Sequence, residues 1–264
     1  MKIEIIIPAY NCTKTLHRTL SSLECQTDVN FLVHVIDDCS TEDLSSIIDL
    51  HKTLNIRVTR NEKNLGCGMT RQVGIDNTAA DYIAFLDSDD VLMPYTVETW
   101  RRMAISNPDI DLFHSFFYEQ CNKSLLLREH GYTWCHGKLY KVEFIKKWGI
   151  RNNPEVKLAD DSFFNSMCTE LGKVGVISIP MYMWLNNAQS ITRSGDTKYQ
   201  FKLLDFIHAM KIAIEFLKSK GVKEVIHMQV TLANIQSAYD KFNDEILNEY
   251  NELISLLEEM KKWF

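Results

Sequence analysis

What is scarce in this chain narrows its class before any motif is considered. It has 5 prolines and 10 glycines in 264 residues, too few for a linker-rich or low-complexity protein, and no internal repeat is visible. Its 7 cysteines are odd in number and scattered, with no C-x-x-C pair. That argues against a disulfide framework or a cysteine zinc site and for reduced thiols in a cytoplasmic protein. No apolar run approaches the roughly 20 residues that span a bilayer. Met1-Lys2 leads directly into a strand pattern rather than into a signal peptide. The first strand is followed by Pro8-Ala9-Tyr10-Asn11 without a glycine, so the Gly-rich phosphate loop of a nucleotidyltransferase is missing.

What is present is ample apolar material, 45% of the chain, and a net charge of −6. The charge is uneven. Residues 1–122 carry 10 basic and 18 acidic side chains, residues 123–157 carry 8 and 3, and residues 158–264 carry 11 and 14. The basic middle, with Lys138, Lys141, Lys146, Lys147 and Arg151, faces an anionic partner or is simply a solvated face.

In chain order, branched apolar residues predict buried strands at Ile3–Ile7, Phe31–Ile36 and Tyr82–Leu86, with a shorter strand at Ile56–Thr59. Helical spacing alternates with them. Leu16, Leu20 and Leu23 follow a cap at Thr13 or Thr15. Leu44, Ile47, Ile48 and Leu54 follow a cap at Ser40 or Thr41, and Met69–Thr78 is a third helix. Further on, a helix spans Thr96–Ser106, a strand Ile110–Phe117 with a hairpin partner at Ser124–Arg128, a loop Gly131–Lys138, and a helix Val142–Trp148. A helix opens at Leu158–Phe164, a strand runs from Val174 to Ile179 and continues through Trp184, and Asn186–Asp196 is polar. From Tyr199 the pattern is helical. Strand and helix at this cadence predict a mostly parallel sheet with helices on both faces, whose ligand lies beyond the carboxyl ends of the strands.

Three strands end in distinctive residues at that edge: Pro8–Asn11, Asp37-Asp38 and Asp87-Ser88-Asp89-Asp90. Three carboxylates within four positions repel one another unless a cation sits among them, and hard oxygen ligands suit Mg²⁺ or Mn²⁺ beside a diphosphate. Alternatively the acids cap the helix near Pro94, and Asp37-Asp38 cap the helix after them. His114 on a strand reads as a core histidine.

The motifs Ile6–Asn11, Val35–Thr41, Asn64-Leu65-Gly66, Arg71–Ile75, Phe85–Asp90, Asp160-Asp161 and Gln189–Thr192, in this order, resemble the family 2 glycosyltransferases of the GT-A fold. The resemblance covers residues 3 to about 195. It implies a GT-A type, Rossmann-like α/β domain over residues 1–195, split into a nucleotide-sugar half (1–122) and an acceptor-side half (123–195), with a C-terminal helical extension over 196–264. It further implies a metal-dependent, inverting sugar transfer from a nucleotide donor, usually a UDP-sugar. Carried over by position, Tyr10 lies against the base, Pro8 and Ala9 line its pocket, Asp38 accepts from it and Arg71 sits beside it. Asn11, Asn64, Gly66 and Ser88 belong to the same donor motifs. Asp87 faces the ribose and the metal's water shell, and Asp89 ligates Mn²⁺ or Mg²⁺. Asp161 is the base, with Asp160 as its alternate. Trp134, His136 and Lys138 are candidates for the acceptor. The family's late loop often has a histidine ligand; Asn186 and Asn187 stand in that neighbourhood here. The acceptor expected is a saccharide hydroxyl; hydroxylated DNA bases, in a host cytoplasm if the source is viral, and a non-catalytic sugar-nucleotide binder are the alternatives.

Overall fold

The computed structural model describes residues 1–121, 123–129, 131, 133–187 and 199–261. Its elements in order are β1 (Ile3–Ala9), α1 (Thr13–Glu24), β2 (Leu32–Asp37), α2 (Ser45–Ile48), β3 (Ile56–Arg60), α3 (Cys67–Asn77), β4 (Tyr82–Phe85), β5 (Val91–Leu92) and α4 (Thr96–Ser106). They continue with β6 (Leu112–Cys121), β7 (Ser124–Arg128), β8 (Lys138–Lys141), α5 (Val142–Trp148), α6 (Asp160–Leu171) and β9 (Val174–Trp184). The chain then runs through α7 (Tyr199–Ser219), α8 (Gln229–Gln236), a 3₁₀ turn at Tyr239–Lys241 and α9 (Asp244–Lys261).

The strands form one sheet in the order β3-β2-β1-β4-β8-β6-β9-β5, with β7 hairpinned onto β6. β3, β2, β1 and β4 are mutually parallel, so their carboxyl ends lie along one edge. β1 is buried along its whole length, as a strand covered on both faces must be. The two-residue period of the strand divides its side chains between two apolar layers. Ile5 and Ile7 join Leu16, Leu20 and Leu23 of α1 and Trp100 of α4. Ile6 faces the other way, with Ile75 of α3 and Phe163, Phe164 and Met167 of α6. That second layer runs without a break into Leu203, Ile207, Met210 and Ile214 of α7 and Ile246 and Leu253 of α9.

The mostly parallel α/β architecture follows the sequence, and three local expectations do not. The Gly131–Lys138 loop ends earlier than expected, because Lys138 begins β8, which pairs antiparallel to both β4 and β6. Neither Thr13 nor Thr15 caps α1: Cys12 holds that position without a side-chain bond, and the Thr13 hydroxyl donates to Glu42 at 2.7 Å. The helix expected after Ser40-Thr41 shrinks to the four residues of α2. Asp43, rather than Ser40 or Thr41, receives a local amide there, that of Ser45 at 2.9 Å.

Candidate active site

Two groups of acids stand at the carboxyl edge, and they are satisfied differently. At the tip of β2, Asp37 accepts the amide of Ser40 at 2.8 Å and an ion pair from Arg60. Asp38 is buried. It accepts the amides of Leu65 at 2.8 Å and Gly66 at 2.9 Å and the side-chain amide of Asn61 at 2.8 Å. Its oxygens are engaged by three donors, so its visible work is to hold the turn that leads into α3. Gly66 makes that turn possible: it has φ 84°, a conformation glycine adopts without steric cost. The tips of β1 and β2 are tied by Asn11, itself at φ 48°, whose side-chain oxygen accepts the Thr41 amide at 2.8 Å. Pro8 and Ala9 are buried, Asn64 is exposed, and Tyr10 is 49% exposed at the strand tip. A half-bare aromatic face on a rigid edge suits stacking against a flat ring.

The second group is gathered by one guanidinium. Arg71 of α3 is buried and donates to Asp87 at 2.7 Å and to Asp160 at 2.8 Å, and it also pairs with Asp161. Its plane lies over the Phe85 ring, 5.6 Å from the centroid. Gly68 permits this closeness, since a Cβ there would stand 2.7 Å from the Cβ of Asp160. The second oxygen of Asp161 accepts the Cys135 amide at 3.3 Å. Three acids sharing one cation have unequal acidities. Burial works against the charge of Asp87, but Arg71 and His136 prevail and hold its carboxyl well below the usual range. Burial, with the charges of Asp161 and Asp87, prevails over Arg71 at Asp160 and pushes that carboxyl up to about 7.

Beside Asp87, the acids separate by role. Asp90 is fully buried, accepting the Tyr182 hydroxyl at 2.5 Å and the Leu185 amide at 2.7 Å. Burial, helped by the charges of Asp87 and Asp89, pushes it well above the carboxylate range. It fastens β9 to the turn after β4 and does not cap the helix near Pro94. Asp89 accepts the side-chain amide of Asn187 at 2.8 Å, and its carbonyl accepts Arg18 of α1 at 2.6 Å. Burial and then the charge of Asp87 raise its carboxyl. Ser88, between them, is partly exposed.

A ligand atom from each of Asp87, Asp90 and His136 lies within 4.8 Å of the others, a group able to hold a metal ion. The group shares Asp87 with the expected pair Asp87 and Asp89, and it places His136, a candidate for the acceptor, on the flank of Asp87. The imidazole Nε2 stands 3.5 Å from that carboxylate, and the ring stacks on Tyr182 at 4.8 Å. Trp134 is parallel to it at 6.1 Å, and Trp184 closes the cluster, 5.0 Å from His136 and 5.4 Å from Trp134. Lys138 is corrected as well. Its side chain is 1% exposed and its ammonium is donated to the Trp134 carbonyl, so it braces the loop from beneath. Burial lowers its pKa to about 8, against the pull of Asp161.

The rest of the basic segment also turns away. Lys141, Lys146 and Lys147 line a groove of about 610 Å³ with Asp81 and Glu143, at the opposite end of β4 from Asp87. Arg151 pairs with Asp76 at 2.8 Å. Gln189–Thr192 lies outside the described residues. Tyr182 and Trp184 were missed as site residues because they sit at the end of a strand that reads as core. Only their position after a bulge near Pro180 hints at a redirected edge. Among the described residues, no helix is long and apolar enough to cross a membrane.

Residues 4–158, which build this parallel edge with its tied tips and converging acids, match the glycosyl transferase family 2 model. The chain belongs to that family. Among its curated relatives, the poly(ribitol-phosphate) beta-N-acetylglucosaminyltransferase TarS of Staphylococcus aureus is 26% identical over 100% of this chain and 48% of its own length. The glycosyltransferase GlyA of Streptococcus pneumoniae is 26% identical over 90% of this chain and 38% of its own. The chain thus spans about half or less of the length of these relatives. Among solved structures, S. aureus TarS in complex with UDP-GlcNAc superposes with TM-score 0.79 at 19% identity, over 97% of this chain and 82% of that one. The mannosyltransferase PcManGT of Pyrobaculum calidifontis, in complex with GDP-Man and Mn²⁺, gives 0.57 at 13%, over 98% and 85%. Both likenesses support the GT-A fold.

Proposed function

We propose that the protein is an inverting glycosyltransferase that moves a sugar from a UDP donor to a hydroxyl of a saccharide or polyol acceptor. The observation that carries this reading is Arg71 of α3, which joins Asp87 from the end of β4 to Asp160 and Asp161 of α6, at the carboxyl edge where β1 also leaves Tyr10 half exposed. The TarS names and complexes favour UDP-GlcNAc as the donor to try first.

Tyr10 covers the base, with the turn held by Asp38 forming the wall beside it. Asp87 and Asp89 are the residues suited to a divalent cation: burial first, and then the charge of Asp87, raise the Asp89 carboxyl, and a cation between them would relieve the second of these. Their oxygens suit Mg²⁺ or Mn²⁺. Both oxygens of Asp90 already accept, from Tyr182 and Leu185, which favours Asp89 over it as the second ligand, and His136 orients Asp87. A divalent ion, when bound, neutralises the charge that the departing diphosphate gains. Inversion requires one in-line displacement, so the acceptor hydroxyl must lose its proton on the face opposite the leaving group. Asp161, aimed by the Cys135 amide and Arg71 and carried on the first turn of α6, accepts that proton. Asp160, pressed against Gly68, shares the guanidinium and sets how much of its charge reaches Asp161. Trp134 and Trp184 offer aromatic faces to the acceptor ring.

The test is a panel of UDP-sugars assayed for UDP release with Mn²⁺, with and without chelator. Release from one or a few donors that disappears on chelation is expected. UDP binding with no turnover of any donor in the presence of saccharide and polyol acceptors would favour the non-catalytic binder instead.

A further inference from the structure

The α6 helix delivers Asp160 and Asp161, yet its own N-terminus has no local cap: Ala159 holds the capping position and has no side chain to offer. The three backbone amides entering it are taken by a residue 46 to 48 positions away. Asp205 of α7 accepts Lys157 N–H at 3.0 Å through one oxygen, and Leu158 N–H at 2.7 Å and Ala159 N–H at 2.8 Å through the other. An unpaired N–H set at a helix start is normally satisfied within a few residues. Here only the Ala159 amide belongs to that set, and it and the two amides before it go to Asp205 of a C-terminal helix. Leu203 and Ile207 flank Asp205 and are buried in the same apolar layer as Phe163 and Phe164, so the carboxylate is held from a packed surface.

We propose that Asp205 is a positioning residue for the reaction: by clamping residues 157–159 it fixes the register in which Asp160 and Asp161 meet Arg71. The inference rests on the functional reading above. There is little slack at the other side of the pair, because Asp160 lies against Gly68 at a distance that admits no Cβ. A slip of the segment entering α6 therefore moves both acids relative to the guanidinium rather than being absorbed.

The opposite end of α6 provides a matched control. Glu170 there accepts the amides of Ile226, His227 and Met228 at 3.1, 2.6 and 2.8 Å, at the start of α8 and away from Arg71. Both carboxylates receive three amides at the α6–tail contact, and only Asp205 stands next to the acids.

The experiment compares Asp205→Asn, Asp205→Ala and Glu170→Gln in the full chain. It measures kcat and KM for UDP-GlcNAc with Mn²⁺, UDP affinity, melting temperature, and hydrogen exchange of the 157–159 amides. Asp205→Asn is expected to lose about tenfold or more in kcat, and Asp205→Ala more, with UDP affinity within about twofold and with faster exchange at 157–159. Glu170→Gln is expected to lower the melting temperature while leaving kcat within about twofold. An Asp205→Asn enzyme with unchanged kcat, or a Glu170→Gln enzyme that loses as much, overturns the proposal. If the wild type turns over no UDP-sugar, the functional reading falls. The exchange measurement then judges the clamp alone, and unaltered exchange in Asp205→Ala overturns it.

Discussion

The two acidic groups at the sheet edge repay comparison. At the tip of β2 each carboxylate has its own donors, mostly backbone amides, and Asp38 is satisfied three times over. At the tip of β4 and the start of α6, Asp87, Asp160 and Asp161 share a single guanidinium. The first arrangement builds shape, since amide-bonded carboxylates lock turns and leave no charge uncompensated. The second stores charge in a place where another cation or a proton can change the balance. Asp160 pushed up to about 7, close to Asp87 held well below the carboxylate range, is the physical mark of that difference.

The sharpest way to break the contrast is at Asp161. Asp161→Asn is expected to lower kcat by about 10²–10⁴-fold, the usual range for a positioned base, with UDP affinity little changed. Steady-state kinetics with UDP titration check it, and a variant running at full rate contradicts the role. Next in size is the shared cation. Arg71→Met leaves one buried and two partly buried acids without their shared partner, and breaking a buried pair in this way costs about 3–5 kcal/mol. Chemical denaturation should register that loss, whereas Asp38→Asn, which keeps one acceptor for the β2 turn, should cost only about 1–3 kcal/mol. Equal losses would erase the distinction between the two groups.

The third prediction concerns pH. A carboxyl whose folded pKa is raised contributes stability that is present in acid and is lost as pH rises through the folded value. With Asp160 pushed up to about 7, stability should fall by about 1.4 kcal/mol per pH unit between about pH 4 and about pH 7 and level off above. Melting curves of wild type and Asp160→Asn across that window isolate the contribution: the variant should lack it, and parallel curves would refute the assignment. The smallest effect expected is that of salt. Because Lys141, Lys146 and Lys147 gather at the far end of β4, activity should fall only weakly between low and physiological ionic strength. A steep decline of the kind that accompanies release of many counterions would restore the polyanion reading.

Most of the parallel half of the sheet was legible in the sequence. Long branched runs such as Ile3–Ile7 and Val33–Ile36 have one stable solution, a strand covered on both faces. The carboxyl edge followed from their order. Short elements were not legible. Lys138–Lys141 and Val91-Leu92 become strands only because partners distant in sequence pair with them, and no local pattern records that. Thr13 also shows tertiary structure overriding local preference: its hydroxyl turns to Glu42, 29 residues away, instead of capping α1.

The site shows the same division. The acids themselves were evident as runs, Asp87–Asp90 and Asp160-Asp161, but their partners were not. His136, a candidate for the acceptor, lies on the flank of Asp87. Lys138, another candidate for the acceptor, is buried and braces Trp134. Asp90 belongs to Tyr182, 92 residues away. Which acid of a run is structural and which is free depends on such distant donors, and a run of identical letters carries no trace of them. The clamp by Asp205 is the extreme case, since the tail reads as a helical face and nothing in its spacing points back to α6.

The most direct test of the account is a crystal structure with UDP and Mn²⁺. The account predicts the uracil against Tyr10, the ion on Asp89 and Asp87 beside the diphosphate, and Asp161 facing open space across from it. A nucleotide bound elsewhere, or Asp89 still on Asn187 with the cation untouched, would contradict it.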